Sequence, residues 1–102
     1  MRIITKRRLA GYAARHPEAR SALEAWHDEA IKADWHSLMD VRRTYPHADG
    51  VKVKSGRIAT VFNIRRNAFR LITAIHYDAG RIFVMRLLTH AEYSKNVWKD
   101  SL

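Results

Sequence analysis

The chain has 102 residues, long enough to bury one hydrophobic core and too short for two, which excludes large multidomain enzymes. With 47% hydrophobic and 28% charged residues, 4 Gly and 2 Pro, it reads as globular, and the absence of Cys excludes disulfides, thiolate zinc sites and thiol nucleophiles. The 19 Lys and Arg against 10 Asp and Glu leave +9, which points to a polyanionic partner, with a merely solvated basic surface as the alternative.

Thr5 is placed to cap a first helix in which Leu9, Tyr12 and Ala13 share a stripe up to Pro17. Pro17 suits the first turn of a second helix and Glu18 its positive end. Leu23, Trp26 and Ala30 recur there at helical spacing, with Asp28 and Glu29 outside. Trp35, Leu38, Met39 and Val41 predict a third short helical piece, ended by Tyr45-Pro46 and Asp49-Gly50. From Val51 the period falls to two, which predicts an antiparallel meander over 51–54, 57–64, 69–77 and 81–88. A three-residue loop, Asp78-Ala79-Gly80 with Gly80 left-handed, sets Tyr77 opposite Arg81 and Ile72 opposite Arg86. A similar loop of Arg65, Arg66 and Asn67, with Asn67 left-handed, sets Phe62 opposite Arg70.

These registers predict a helix-packing face of Val61, Phe69, Leu71, Ile75, Phe83, Met85 and Leu87. The other face then carries Thr60, Phe62, Arg70, Ile72, His76, Val84 and Arg86. The tail from Ala91 predicts a short helix carrying Tyr93 and Lys95. No repeat or linker divides the chain. The expected fold class is therefore α+β: N-terminal helices on a small twisted antiparallel sheet, closed by a short C-terminal helix, as one domain over 1–102. No apolar run has the length of a membrane span or a signal, so the expectation is a cytoplasmic protein with no membrane partner.

Residues 1–50 carry nine basic and seven acidic side chains, and residues 51–102 ten and three, so the strand half is the basic half. Its acids, Asp78, Glu92 and Asp100, are scattered, which argues against a two-metal nuclease and for chemistry with no metal and no cofactor. Arg70 and Arg86 share a predicted face about two residues out of register, a spacing that suits one anion; pairing with acids is the alternative. His90, of Arg86's parity, stands where a strand gives way to a helix carrying Tyr93 and Lys95. A histidine, a phenol and an amine beside paired arginines suit metal-free RNA cleavage, in which the RNA's own 2′-OH attacks phosphorus. The bland reading of His90 is a structural residue at a strand end. His16, His27, His36 and His47 lack metal-like spacing and read as surface or packing residues, while His76 stays undecided. Tyr45, Tyr77 and Trp98 are candidates for base stacking, though in a small domain aromatics usually fill the core. Lys6-Arg7-Arg8 reads as a solvated helix face.

Phe62-Asn63-Ile64, Asn67-Ala68-Phe69-Arg70-Leu71-Ile72, Ile82-Phe83-Val84-Met85-Arg86 and Leu88-Thr89-His90-Ala91-Glu92-Tyr93-Ser94-Lys95, with Trp98, resemble the HigB toxins of the RelE-like superfamily. Trp35, Val41-Arg42 and Tyr45-Pro46-His47-Ala48-Asp49 fit the same pattern. The resemblance implies a RelE-like fold and the toxin of a type II toxin-antitoxin pair, an endoribonuclease that cleaves mRNA on the translating ribosome. It implies Arg70, Arg86, His90, Tyr93 and Lys95 as active-site residues. Its partners would be mRNA, the ribosome and a HigA-like helix-turn-helix antitoxin, with operator DNA reached only through the antitoxin complex. Ala68 and Ser94 depart from the pattern, where a basic and an acidic residue are common. Arg65 and Arg66, with Asn67, Lys52, Lys54 and Arg57, are the candidate RNA-binding residues. Two other readings remain: a non-catalytic RNA-binding module, and a gyrase-inhibiting toxin of the same superfamily.

Overall fold

A computed structural model describes residues 1–102. In chain order the elements are β1 (Arg2–Ile3), α1 (Lys6–Arg15), a 3-10 turn (Pro17–Ala19), α2 (Arg20–Lys32), α3 (Leu38–Thr44), β2 (Asp49–Lys52), β3 (Ile58–Ile64), β4 (Phe69–His76), β5 (Arg81–Thr89), α4 (His90–Ser94) and a closing 3-10 turn (Val97–Ser101). The protein is thus α+β, with three helices ahead of most of the sheet and one short helix after it. Pro17 starts the turn that leads into α2, and Leu23, Trp26 and Ala30 of α2 are buried on one stripe. Ser37 caps α3 by accepting the Asp40 N–H, and Val41 turns inward while Met39 stays in solvent.

Five strands form one sheet in the order β1-β5-β4-β3-β2. β1 is an addition to the expected meander. Only two residues long, it has too little sequence to show a period, and it pairs parallel to β5 with Arg2 opposite Arg81 and Ile3 opposite Ile82. Beyond Ile82 the outer edge of β5 has no strand beside it, and side chains of α1 take up its polar groups. Thr5 Oγ1 accepts the Val84 N–H at 2.6 Å, Arg8 donates to the Val84 carbonyl at 3.2 Å, and the Tyr12 hydroxyl donates to the Met85 carbonyl at 2.9 Å. Thr5 stands at the start of α1 as expected, yet its side chain makes no capping bond, because the sheet edge has claimed it.

Both hairpin loops hold four residues between the paired strands, which corrects the expected registers. In the β3–β4 loop the left-handed residues are Arg65 (φ 51°) and Arg66 (φ 60°) in place of Asn67. Ile64 therefore meets Phe69, Phe62 lies opposite Leu71, and Arg70 is opposite Asn63. In the β4–β5 loop Gly80 is left-handed as expected (φ 64°), but Arg81 faces His76 where Tyr77 was expected. A bulge at Met85, the one residue of β5 skipped between Val84 and Arg86, shifts the register back and leaves Ile72 opposite Arg86 as anticipated.

Because side chains alternate, each one-residue shift exchanges faces. Phe62 and Val84 join Phe69, Leu71 and Leu87 in the main core beneath the helices, where Phe62 touches Trp26, Trp35 and Tyr45. Val61 and Met85 move to the opposite face, where Val53, Ala59, Val61, Ile72 and Trp98 form a second cluster, and Phe83 leaves the expected core face to lie against His76. Tyr45, Tyr77 and Trp98 all pack on one core or the other. Burial, helped by the charge of Glu29, pushes the Tyr45 phenol up to about 12.

Thr5→Val keeps the shape of the side chain but orphans the buried Val84 amide. A loss of about 1–3 kcal/mol is expected, read as a lower urea midpoint with an unchanged slope, while Thr5→Ser stays close to the parent.

Candidate functional site

α4 spans only five residues and is held by its ends. Thr89 and Glu92 form a capping box: the Glu92 N–H donates to Thr89 Oγ1 at 3.2 Å and the Thr89 N–H to Glu92 Oε1 at 2.9 Å. The Thr-x-x-Glu spacing, not among the expectations from sequence, is a signal that could have located it. The His90 N–H then donates to the Ala68 carbonyl at 3.1 Å, which ties the helix to the β3–β4 loop. Past α4, Asn96 adopts a left-handed conformation and the chain returns across the second face of the sheet, where Trp98 is buried and its Nε1 donates to the Tyr93 carbonyl at 3.1 Å.

This folding gathers Arg70, His90 and Tyr93. One nitrogen of Arg70 lies 3.3 Å from His90 Nδ1, and its guanidinium carbon lies 5.4 Å from the centre of the Tyr93 ring, which stacks in turn on Trp98. A guanidinium has no acceptor, so the Arg70 contact is a hydrogen bond for the neutral imidazole tautomer that carries its proton on Nε2. The other terminal nitrogen of Arg70 donates to the Asn67 carbonyl at 2.9 Å, an anchor that sequence reasoning did not foresee. Burial, then the charge of Asp49, raises the Tyr93 phenol above its ordinary value against the opposing pull of Arg70. At neutral pH this phenol is therefore a proton donor. Asp49, on β2, was not among the expected site residues.

Arg86 sits elsewhere along the same face. Its two terminal nitrogens donate to the Met85 carbonyl at 3.0 Å and to Ser101 Oγ at 3.4 Å, with no direct contact to His90. Parity had put His90 beside Arg86; β5 ends at Thr89, opposite Phe69, and the onset of α4 sets His90 against Arg70 instead. Lys95 caps α4 on the side of Glu92, three residues on, and its charge helps to lower the Glu92 carboxyl. The candidate RNA-binding residues separate into two groups. Arg65, Arg66 and Asn67 flank Arg70, whereas Lys52, Lys54 and Arg57 lie at the other end of β3, roughly 20 Å of strand away. His76 is exposed against Phe83 at that far end.

Every ion pair of the protein lies between residues 16 and 49. No Lys or Arg of the strand half, Arg70 and Arg86 included, has a carboxylate within ion-pair distance. No three His, Asp or Glu side chains gather closely enough to hold a metal ion.

The family model described as HigB_toxin, RelE-like toxic component of a toxin-antitoxin system, matches residues 19–96. The chain is 23% identical over 93 residues, 91% of its own length and 88% of the relative's, to the mRNA interferase toxin HigB of Escherichia coli (strain K12). The mRNA interferase HigB proteins of Escherichia coli O157:H7 and Shigella flexneri match at the same 23% over the same shares.

The capping box makes α4 sensitive to acid. The Thr89 backbone N–H, with its hydroxyl and the charges of His16 and Lys95, holds the Glu92 carboxyl below its ordinary value against the effect of partial burial. The stability this contributes is complete above the ordinary carboxylate range and is lost as pH falls through the lowered value. Glu92→Gln keeps an acceptor for the Thr89 N–H but cannot ionise. Urea unfolding between neutral pH and about pH 3 should therefore show a shallower acid limb for the variant than for the parent.

Proposed function

The chain belongs to the HigB toxin family, the RelE-like toxic components of toxin-antitoxin systems, and on that premise we propose that it is an endoribonuclease that cleaves mRNA and thereby inhibits translation and growth. Its relatives are named as mRNA interferases. The observation that carries the reading is the meeting of an unpaired guanidinium, an accepting imidazole nitrogen and a protonated phenol at Arg70, His90 and Tyr93.

RNA brings its own nucleophile. The 2′-oxygen forms a bond to the adjacent phosphorus while the bond from phosphorus to the 5′-oxygen breaks, leaving a 2′,3′-cyclic phosphate and a 5′-hydroxyl. The protein has to hold the phosphate, remove the 2′ proton and return a proton to the departing oxygen. In this reading Arg70, with Arg86 on the same face, binds the non-bridging oxygens and stabilises their growing charge. As Arg70 turns to the phosphate, His90 Nδ1 is freed to take the 2′ proton, and the Tyr93 phenol donates to the 5′-oxygen. Lys95 and the Arg65, Arg66 and Asn67 loop contact the flanking backbone, and Lys52, Lys54 and Arg57 contact RNA further out. No step uses a metal or a cofactor.

Membership of a toxin-antitoxin family implies a cognate antitoxin. We take it to be a HigA-like helix-turn-helix protein that carries any contact with operator DNA, and we take residues 1–102 to act as one RelE-like domain on the translating ribosome in the cytoplasm. No helix of the chain is long and apolar enough to cross a membrane.

His90→Gln retains reach and polarity but cannot exchange a proton near neutral pH. Single-turnover cleavage of ribosome-bound mRNA should fall by about 10²- to 10⁴-fold with affinity little changed. The parent should leave cyclic or 3′-phosphate ends. Unchanged cleavage by folded His90→Gln protein removes His90 from the chemistry, and a parent that binds RNA without cutting it is the non-catalytic module.

A further inference from the structure

We propose a second RNA-binding element, resting on the endoribonuclease reading: the groove between the last turns of α1 and the free edge of β5 holds the phosphodiester backbone of the RNA strand away from the scissile bond, with Arg15 as its phosphate contact and Arg86 at the border it shares with the first site. The groove encloses about 610 Å³, and Arg8, Tyr12, Arg15, His16, Arg86 and Glu92 are among the residues that line it. It exists because Thr5, Arg8 and Tyr12 draw α1 alongside β5, which carries the exposed end of α1 up to the start of α4.

Its charge is strongly positive, three arginines facing a single carboxylate. Arg8, Arg15 and Arg86 have no carboxylate within ion-pair distance, and the one acid of the groove, Glu92, already accepts the Thr89 N–H. The cations are held in place without being neutralised. The Arg15 guanidinium carbon lies 5.2 Å from the centre of the Tyr12 ring, whose hydroxyl is fixed on Met85, and Arg86 is anchored on the same carbonyl. Desolvating such groups is unfavourable unless an anion takes them up, and fixed, spaced cations suit a polymer of phosphates.

The groove is also continuous with the first site. Arg86 lies on the sheet face of Arg70 and lines the groove as well, and α4 is the wall between the two, with His90 and Tyr93 on Arg70 and Thr89 and Glu92 on the groove. A strand whose reacting phosphate sits at Arg70 thus runs past the start of α4 into a second row of cations. An acidic protein segment fits less well, since a protein interface needs apolar anchors at its centre. Here Leu87 is buried, Met85 is half-buried and the rest of the groove is mostly polar.

Arg15 is the residue to test, because its side chain supports no other element. The probe is a short single-stranded 2′-O-methyl RNA, which lacks the nucleophile and stays intact, and binding is read by fluorescence anisotropy across a KCl series. Arg15→Ala should weaken binding several-fold at low salt and reduce the slope of log K against log salt by about 0.7, the value for one phosphate contact on a single strand. Arg15→Lys should restore most of that slope, and cleavage of ordinary mRNA at saturation should not change. Folded Arg15→Glu protein that binds with the parent's affinity and slope overturns the groove while leaving the cleavage reading intact. The groove reading also fails if Arg15→Glu abolishes binding of poly-glutamate but spares RNA. A parent that neither binds nor cleaves RNA overturns both readings, and reduced cleavage at saturation with binding unchanged moves Arg15 out of the backbone-binding role.

Discussion

A strand with one covered edge and one half-covered edge sets the terms for the whole molecule. β5 receives β1 for two residues and then runs on with its outward amides and carbonyls unmatched, in a position where Val84 is fully buried. Buried backbone polar groups need partners. Three side chains of α1 answer that need, and by doing so they fix the first helix along the sheet, bring its C-terminal arginine and His16 to the start of α4, and press His16 against Phe69 at 5.1 Å between ring centres. The same strand ends in Thr89, whose hydroxyl starts α4. One strand therefore aligns the scaffold and delivers the site.

Much of this was legible in the sequence. Pro17, the Leu23-Trp26-Ala30 stripe and the change to a period of two located α2 and the four antiparallel strands to within a few residues. Register was the weak point, for a physical reason. A loop one residue longer than expected exchanges the faces of one strand relative to its neighbour, here β3 against β4, and the sequence of the β3–β4 loop offers Asn67 as the natural left-handed residue while the backbone places Arg65 and Arg66 there. The Met85 bulge confined the error on β5 to the residues before it and restored the pairing of Ile72 with Arg86, so the expected shared face of Arg70 and Arg86 survives for a reason the sequence did not display. Arg70, His90 and Tyr93 could be singled out by residue type; that Asn67 anchors Arg70 and that Arg86 turns to Ser101 depend on side-chain directions that no periodicity encodes.

Charge divides the molecule along a different line from its secondary structure. Between residues 16 and 49 acids and bases stand beside one another and pair, so that segment largely neutralises itself. α1 and the strands keep their cations unpaired. Unpaired cations from α1 and from the strands therefore flank α4, an element whose short length would leave it marginal without its capping box. A site built on such an element is positioned by hydrogen bonds more than by hydrophobic burial: none of the five residues of α4 is fully buried.

The pairing of Arg2 and Ile3 with Arg81 and Ile82 joins the first strand to the last in the order of synthesis. While the protein is being made, β1 has nothing to pair with until β5 has been added, and Val84 cannot receive Thr5 before then. The second-face cluster waits longer still, for Trp98. The helices can form early from local contacts, whereas the sheet edge, the groove and the cluster around Arg70 close only when nearly the whole chain is available. A nascent chain emerging from the ribosome that makes it therefore carries the cations but lacks the arrangement, and the cluster around Arg70 forms only once β5, α4 and Trp98 have joined the fold.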